Sequence, residues 1–320
     1  MQFPISSSVG IARHNKAVFV CADVRFFPYA LFVLDRIACK SPARDFDLVI
    51  LSPEPLPDHS LIAEHDIRVV HVDMAAIQDE LLTSGRIPLA AYLRILAPDL
   101  FGEEYRRLLY LDCDIFYQRG DLSRLLDLDM KGHAVAAVRD MPQMRKPRRA
   151  PSDLKRLGLP HARYFNSGVL LMDCNEWREQ KIAQRTIKTA ADAGGRLTNH
   201  DQTALNAVFM GNWLELNPVW NFFFNHQTMY FTAMFDICFY HFAGRRKPFK
   251  GVYGGFPVRF TQPYRDFFSR HWPEALEATH DGLKIEKKWY LHVLVLLLHL
   301  RNVRRFLRHE ADWRSDWDTR

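Results

Sequence analysis

RLLYLDCD, at residues 107–114, joins an apolar run to two closely spaced aspartates. The apolar run predicts a buried β-strand, and Asp112-Cys113-Asp114 follows it directly. Because side chains alternate along a strand, both carboxylates are expected on one side of its carboxyl end, where open α/β sheets bind ligands. Two carboxylates at that position repel each other, so the pattern favours a bound cation.

Earlier apolar segments predict three more strands of the same sheet, at 17–21, 46–52 and 67–72. The intervening segments are long enough for crossover helices, the first of them at 26–37. This alternation predicts a Rossmann-like α/β fold with a mostly parallel sheet. The glycine fingerprint G-x-G-x-x-G is absent from the chain, so a dinucleotide-binding loop has no support.

The second half of the chain continues the alternation of strands and helices. We predict helices at 90–96, ended by Pro98, at 177–193 and at 201–209, and strands at 135–138, 165–172 and 237–242.

Composition limits the class of protein. The chain has 320 residues, of which 48% are hydrophobic and 25% charged, and this excludes a mini-protein or a wholly disordered chain. The 43 basic and 37 acidic residues give a net charge of +6, which suggests an anionic partner. Five widely spaced cysteines without a C-x-x-C pair argue against a disulfide framework or a zinc knuckle and are expected to be buried. Because residues 1–10 do not resemble a secretory signal, we expect a cytoplasmic protein.

Two basic segments need separate interpretations. Residues 145–156 carry six cations and only one acid, Asp153, and this predicted loop is either a solvated surface or a binding site. The apolar run 289–300 lies among seven cations between Lys284 and Arg308, and it is too short to span a bilayer as a helix. We expect it to lie on an anionic membrane surface, although packing against the domain or a second subunit fits the same pattern. Aromatic residues do not alternate with the cations, so no nucleic-acid partner is expected.

Four motifs in order carry a family resemblance. After the Asp-x-Asp come FNSGVLLMD at 165–173, NHDQTALN at 199–206 and HFAGRRKPF at 241–249. Together they resemble the family 8 retaining glycosyltransferases, the group of the lipooligosaccharide galactosyltransferases and glycogenin. The resemblance implies a Rossmann-like nucleotide-sugar domain of the GT-A type over residues 17–270, followed by a helical extension over 271–320.

The resemblance also implies a metal site and a leaving-group site. Asp112, Asp114 and His241 match the family's metal ligands, and two hard carboxylates with one imidazole suit Mn²⁺, with Mg²⁺ as an alternative. Gly244 would let the backbone approach a phosphate, and Lys247 would add a positive charge to the departing UDP.

Further matches imply donor contacts. Those for the nucleoside are Ala22 and Asp23, although the following Val24 and Arg25 depart from the family pattern. Gln202 would lie beneath the anomeric carbon, with UDP as the base in a front-face attack. The implied catalytic residues are Arg94, Asp201 and Gln202, and the implied sugar contacts are Arg94, Asn166, Ser167, Asp201 and Gln202.

Each of these residues also has an ordinary structural interpretation. The aspartate pair could be a solvated strand end, His241 a buried histidine bonded to a carbonyl, and Asp201-Gln202 merely the start of a helix. Arg94 could be a surface charge and Asn166 a turn residue.

The expected function is transfer of galactose or glucose from a UDP-sugar to a glycan or glycolipid acceptor, such as a lipopolysaccharide core at the inner face of the plasma membrane. The alternative is a catalytically inactive nucleotide-sugar or glycan-binding protein with the same fold.

Overall fold

A computed structural model describes residues 5–74, 89–145, 151–194, 197–225, 228–244, 246–249, 256–274 and 289–307. Eleven strands lie within these residues: β1 (Ile5–Val9), β2 (Lys16–Cys21), β3 (Asp47–Ser52), β4 (Ile67–Val72), β5 (Arg107–Leu111), β6 (Ile115–Tyr117), β7 (Val135–Arg139), β8 (Phe165–Asp173), β9 (Leu214–Glu215), β10 (Phe222–Phe223) and β11 (Phe239–His241).

Eight strands form one mixed sheet in the order β1-β4-β3-β2-β5-β8-β7-β9. The central strands β4, β3, β2 and β5 are parallel to one another, whereas β8 is antiparallel to both of its neighbours. Every residue of β2, β3 and β5 is buried, which explains their nearly continuous apolar sequences. The predicted mostly parallel α/β sheet is therefore confirmed.

Helices cover both faces of this sheet, and two large apolar clusters fill the space between the layers. The helices are α1 (Phe27–Lys40), α2 (Ser60–Glu64), α3 (Leu89–Leu100), α4 (Leu122–Leu126), α5 (Met141–Arg145), α6 (Ser152–Arg156), α7 (Cys174–Glu179), α8 (Ile182–Ala193), α9 (His200–Phe209), α10 (Val258–His271) and α11 (Trp289–Leu307).

A second, three-stranded sheet, β10-β11-β6, positions the functional residues. Strand β6 begins directly after Asp114, and its Ile115 pairs with His241 at the end of β11. The amide of Phe242 donates a 3.3 Å hydrogen bond to the carbonyl of Asp114. This antiparallel pairing brings His241 beside the two aspartates, although more than 120 residues separate them in sequence.

Several sequence predictions were wrong in detail. Pro98 does not end its helix, because α3 continues to Leu100 with the proline in its last turn. The helix expected at 177–193 is divided in two, since Lys181 adopts a left-handed conformation with φ of 53°. Part of the loop expected at 145–156 is helical, as α6; residues 146–150 lie outside the described part of the chain.

The two ends of the described chain also differ from expectation. The leader contributes β1, which pairs antiparallel with β4 at the sheet edge. The tail helix α11 is longer than the apolar run that predicted it and includes Arg301. Within the described residues, no helix combines the length and apolarity needed to cross a membrane. The division into residues 17–270 and 271–320 stays a prediction.

Candidate active site

Asp112, Asp114 and His241 converge at the carboxyl end of β5. Each offers one ligand atom, and these atoms all lie within 4.8 Å of one another. Nε2 of His241 is 3.3 Å from Oδ1 of Asp114 and 3.7 Å from Oδ2 of Asp112. The structure thus brings together the three residues that the family resemblance implied as metal ligands.

One carboxylate oxygen in this cluster lacks a hydrogen-bond donor. Oδ1 of Asp114 is buried and accepts no hydrogen bond from any described residue. A buried anionic oxygen without a donor is costly, and a cation among the three ligand atoms removes that cost. Two carboxylates and one imidazole form a donor set suited to a hard divalent cation.

Asn221 orients the imidazole of His241. The imidazole Nδ1 lies 2.9 Å from Oδ1 of Asn221, which can only accept a hydrogen bond. Nδ1 is therefore the protonated nitrogen, and the lone pair of Nε2 points toward the carboxylates. His241 is only 3% exposed, so this orientation is fixed inside the protein.

Lys247 neutralises part of the negative charge. Its ammonium donates hydrogen bonds to Oδ2 of Asp114 and, at 2.7 Å, to the carbonyl of Phe242. Burial by itself raises the pKa of Asp114, but a protonated His241 and the Lys247 ammonium hold that pKa below its ordinary value when no metal is bound. The Asp114 carboxylate therefore stays ionised.

Arg94, on α3, links the cluster to α9. Its guanidinium donates to Oδ1 of Asp112 at 3.0 Å and to the carbonyl of Ser167 at 3.2 Å, and its Nε is 3.2 Å from Oδ2 of Asp201. Burial raises the pKa of Asp201, and the Arg94 guanidinium opposes that shift. Arg94 is 11% exposed, so its interpretation as a surface charge was wrong.

Gln202, in the first turn of α9, is held by β8. Its side-chain carbonyl accepts hydrogen bonds from Nδ2 of Asn166 at 2.9 Å and from the amide of Ser167 at 3.1 Å. Asn166 also accepts from Nδ2 of Asn221 at 2.8 Å, which connects this group to His241. Because donors already occupy its oxygen, Gln202 is a poor nucleophile.

The remaining predicted residues lie around this centre. Ala22 and Asp23 follow β2, the strand next to β5, and Asp23 Oδ1 accepts a 2.9 Å hydrogen bond from the amide of Phe26. The thiol of Cys113 donates a 3.4 Å hydrogen bond to the carbonyl of Cys21, which links the carboxyl ends of β5 and β2. Gly244 has a φ of +94° that favours glycine, and open space surrounds its Cα.

Sequence reasoning missed two residues beside the cluster. Asn221 lies in an irregular segment, so no pattern in the neighbouring sequence predicts that it belongs to the site. Asp140 comes directly after β7, and burial raises its pKa to about 6, opposed by His241 and a hydrogen bond from Asn166. The rule that found Asp112 and Asp114, a carboxylate at the end of an apolar strand, could have found Asp140.

Comparison with known proteins identifies the family. The model of glycosyl transferase family 8 matches residues 17–251, well over half of the chain. The chain belongs to glycosyl transferase family 8. This membership confirms the resemblance carried by the four motifs.

Relatives of known name support the assignment to family 8. General stress protein A of Bacillus subtilis is 39% identical over 142 residues, which cover 43% of this chain and 47% of that protein. A lipopolysaccharide 1,2-glucosyltransferase of Escherichia coli K12 is 30% identical over 169 residues, covering 50% of this chain and 48% of the relative. Each match spans about half the length of the curated relative.

Solved structures of similar fold include two glycosyltransferases. The galactosyltransferase LgtC, in complex with donor and acceptor sugar analogs, has a TM-score of 0.64 and 18% identity, covering 82% of this chain and all of LgtC. The bifunctional glycosyltransferase WbbM has a TM-score of 0.66 and 17% identity, covering 84% of this chain and 52% of WbbM. The family 8 chain therefore has the GT-A fold expected from its motifs.

Proposed function

We propose that the protein is a Mn²⁺-dependent, retaining hexosyltransferase that moves galactose or glucose from a UDP-sugar to a glycan acceptor. The observation that carries the proposal is the convergence of Asp112, Asp114 and His241 around a buried carboxylate oxygen without a donor. The names of relatives that act on lipopolysaccharide support a lipopolysaccharide or lipooligosaccharide core as the acceptor.

The three ligands would hold the divalent ion at the carboxyl end of β5. Such an ion supplies stabilisation of the negative charge that develops on the diphosphate of the leaving group. Mn²⁺, with Mg²⁺ as the alternative, matches the two carboxylates and one imidazole. Lys247 would add a second positive charge near the same phosphates, and Gly244 would allow them to approach the backbone.

The donor sugar would lie between β8 and the start of α9. Asn166 and Ser167 hold Gln202 there, while Arg94 holds Asp201, so both side chains keep one orientation. Asp201 would orient sugar hydroxyls, and the amide dipole of Gln202 would stabilise positive charge at the anomeric carbon. Ala22 and Asp23, at the neighbouring strand end, would contact the uridine.

The bond changes follow a front-face course. The bond between the anomeric carbon and the phosphate oxygen breaks, and the acceptor hydroxyl oxygen forms the new bond on the same face of the sugar. The acceptor proton passes to the departing phosphate oxygen, so UDP acts as the base. Gln202 need not form a covalent intermediate, which agrees with its occupied carbonyl oxygen.

The acceptor is expected to reach the site from a membrane. Large apolar side chains on α11 are 45–58% exposed: Tyr290, Val293, Leu294, Leu296, Leu297 and Leu300. This helix lies beside α5, which follows Asp140 directly. An apolar face with basic flanks suits an anionic lipid surface, and it would place a glycolipid acceptor close to the donor site. We propose that the protein acts in the cytoplasm, on the inner face of the plasma membrane.

The basic flanks of α11 come from the sequence. Lys284, Lys287, Lys288 and Arg308 lie outside the described residues, whereas Arg301 is an exposed residue of α11.

A UDP-release assay tests the function. Chelator-treated protein is incubated with a panel of UDP-sugars, with and without Mn²⁺, and UDP is measured. We expect release from UDP-galactose or UDP-glucose only with the metal, and a loss of at least about 100-fold in Asp114→Asn, comparable to removal of one electrostatic contact in other active sites. The matched variant Asp192→Asn changes an exposed carboxylate on α8 and should keep full activity.

Two outcomes would reject parts of this proposal. Metal-independent release, or full activity in Asp114→Asn at saturating Mn²⁺, would show that the cluster is not the metal site. Tight UDP-sugar binding without UDP release would instead favour the inactive binding protein.

A further inference from the structure

Asp35, Cys39 and His65 form a second cluster of metal-ligating side chains among the described residues. Asp35 and Cys39 are four residues apart on α1, so they lie on one face of the helix. His65 comes from the turn that follows α2. None of the three belongs to the proposed active site.

One distance between ligand atoms matches a tetrahedral metal site, and another is a hydrogen bond between His65 and Asp35 that a bound ion would replace. The three ligand atoms all lie within 4.8 Å of one another, with 2.8 Å between His65 Nε2 and Asp35 Oδ1 and 3.6 Å between Cys39 Sγ and the same oxygen. With bonds of about 2.0–2.3 Å to zinc, tetrahedral ligand atoms lie about 3.3–3.6 Å apart. A small rotation of His65 away from Asp35 would open room for the ion.

Two hydrogen bonds hold the backbone of His65 in place. The carbonyl of His65 accepts a 2.5 Å hydrogen bond from Arg44, and its amide donates a 3.0 Å hydrogen bond to Leu61 in α2. Arg36 on α1 donates a 3.0 Å hydrogen bond to the carbonyl of Tyr117.

The cluster remains accessible to solvent. Cys39 is exposed, and Asp35 and His65 are 23% and 11% exposed in their side chains. A cation can therefore enter without unfolding the protein, and water can supply a fourth ligand. The chemistry of this donor set also differs from that of the active site: one thiol, one imidazole and one carboxylate favour Zn²⁺ or Co²⁺ over Mn²⁺.

The position separates this cluster from the proposed active site. Helix α1 starts near the carboxyl end of β2, and Cys39 lies twelve residues further along, about 18 Å along the helix axis. His65 precedes β4 by two residues, at the amino end of that strand. The active-site group therefore lies at the carboxyl ends of the parallel strands, and the Asp35, Cys39 and His65 group lies at their amino ends.

We propose that Asp35, Cys39 and His65 bind Zn²⁺ and that the ion fastens the last turns of α1 to the turn between α2 and β4. The inference is independent of the proposed transferase activity, because it rests on residues at the amino ends of the parallel strands, away from the proposed active site. Zinc binding would stabilise the folded protein, since these side chains are brought together only by folding.

Cobalt spectroscopy of the full chain tests the proposal. The protein is stripped with a chelator, reduced with a phosphine and titrated with Co²⁺, whose bond to a thiolate gives a charge-transfer absorption in the near ultraviolet. We expect this absorption in the native chain and its loss in Cys39→Ser. Asp35→Asn and His65→Gln should weaken Co²⁺ binding at least about tenfold, the smallest effect that even indirect partners have at metal sites.

Matched variants separate the two sites. Cys113→Ser removes the thiol beside the active-site aspartates, and Asp114→Asn removes one of those carboxylates; both should keep the absorption. Added Zn²⁺ should raise the thermal midpoint of the native chain more than that of Cys39→Ser, in which only the cluster of Asp112, Asp114 and His241 remains to bind the ion.

Three results would overturn the proposal. They are no charge-transfer absorption at millimolar Co²⁺, an absorption that persists in Cys39→Ser, or unchanged affinity in both Asp35→Asn and His65→Gln. The last result would mean that a single thiol binds cobalt without a built site.

Discussion

Asn221 controls the cluster of Asp112, Asp114 and His241 through one hydrogen bond. By accepting from Nδ1 of His241, it leaves Nε2 unprotonated toward the carboxylates, and its own amide nitrogen is held by Asn166. Partners of this kind fix both the tautomer and the orientation of a ligating histidine. Asn221 is therefore a positioning residue rather than a ligand.

Replacing Asn221 tests this role. In Asn221→Ala, His241 can rotate and change tautomer, so Mn²⁺ affinity should fall about 10- to 100-fold. Isothermal titration with Mn²⁺ measures the affinity, and UDP release at saturating Mn²⁺ should recover much of its native rate. Equal Mn²⁺ affinity in the variant and the native chain would contradict the assigned tautomer.

Asp153 is the one acid in the basic segment 145–156, and its carboxylate binds the residues just before and within α9. Its Oδ2 accepts hydrogen bonds of 2.9 Å from the amides of Thr198 and Asn199 and from the hydroxyl of Thr203. Burial raises its pKa, but these donors outweigh burial and lower it. Asp153 is 2% exposed, so its carboxylate is part of the structure that carries Asp201.

Removal of this carboxylate should destabilise the fold. We expect Asp153→Ala to lower the free energy of unfolding by about 2–4 kcal/mol, because the three donors to Oδ2 and the Arg156 guanidinium, which donates to Oδ1, lose their acceptor. Asp192→Ala, which removes an exposed carboxylate paired with Lys188, should cost less than about 1 kcal/mol. Urea unfolding at pH 7 measures both values.

The contribution of Asp153 to the free energy of unfolding should depend on pH. Because folding lowers the pKa of Asp153, its stabilisation is complete above the unfolded pKa of about 3.9 and is lost as the pH falls through the folded value. The difference between the native chain and Asp153→Ala should therefore shrink in strong acid. A difference that stayed constant from pH 7 into that range would show that ionisation of Asp153 contributes nothing.

At the scale of the elements, strands β8 and β11 approach each other closely beside Asp112 and His241. A Cβ atom placed on Gly168 of β8 would lie 2.4 Å from Cε1 of His241 and 2.9 Å from Oδ2 of Asp112. Only glycine fits between these ligands. The glycine in FNSGVLLMD is thus required by packing against a distant strand and not by a turn.

Gly168→Ala should displace His241 or Asp112. We expect a severe loss of Mn²⁺-dependent UDP release and a loss of about 1–3 kcal/mol in stability from overpacking. Gly132→Ala serves as the control: it has a φ of +76° and no neighbour within 4 Å of an added Cβ, so backbone strain alone should leave the Mn²⁺ response intact. A native Mn²⁺ response in Gly168→Ala would show that the ligands tolerate the added methyl group.

At the scale of the whole molecule, α11 has one face on the domain and another in solvent. His299 packs against Phe231 with ring centroids 4.5 Å apart, and Val303 packs against the main apolar core. Leu297 and Leu300 instead are 58% and 56% exposed. One side of α11 therefore packs on the domain, as one interpretation of the tail expected, while a membrane role for its exposed side stays a prediction.

The double substitution of Leu297 and Leu300 by serine tests the membrane role. It removes exposed apolar surface but keeps the contacts of His299 and Val303, so the fold should survive. We expect weaker sedimentation with anionic phosphatidylserine vesicles and unchanged UDP release with a small soluble acceptor.

The control Ile11→Ser removes a 75% exposed side chain near the other end of the chain and should bind vesicles normally. Binding by the native chain should also weaken as salt is added. Vesicle binding that does not change in the double variant would assign the exposed face to another partner.

The sequence alone determined the central strands and two of the three residues in the candidate metal cluster. Strands β4 and β5 begin and end where the apolar pattern predicts, because strands buried on both faces have nearly continuous apolar sequences. Asp112 and Asp114 follow from the same pattern, since a carboxyl strand end is a local feature. His241 lies near the end of the strand predicted at 237–242, which marked it as a third possible ligand, and the family resemblance then joined it to the two aspartates.

Only the tertiary structure decided how the other groups meet. Strand β10, of two residues, is too short for periodicity to detect, and β11 is shorter than the strand expected at 237–242. The pairing of β11 with β6 brings His241 to Asp114. Asn221 and the Asp35, Cys39 and His65 group likewise depend on contacts between segments distant in sequence. Local sequence patterns predict burial and backbone conformation. Contacts between residues that are distant in sequence depend instead on how whole helices and strands pack.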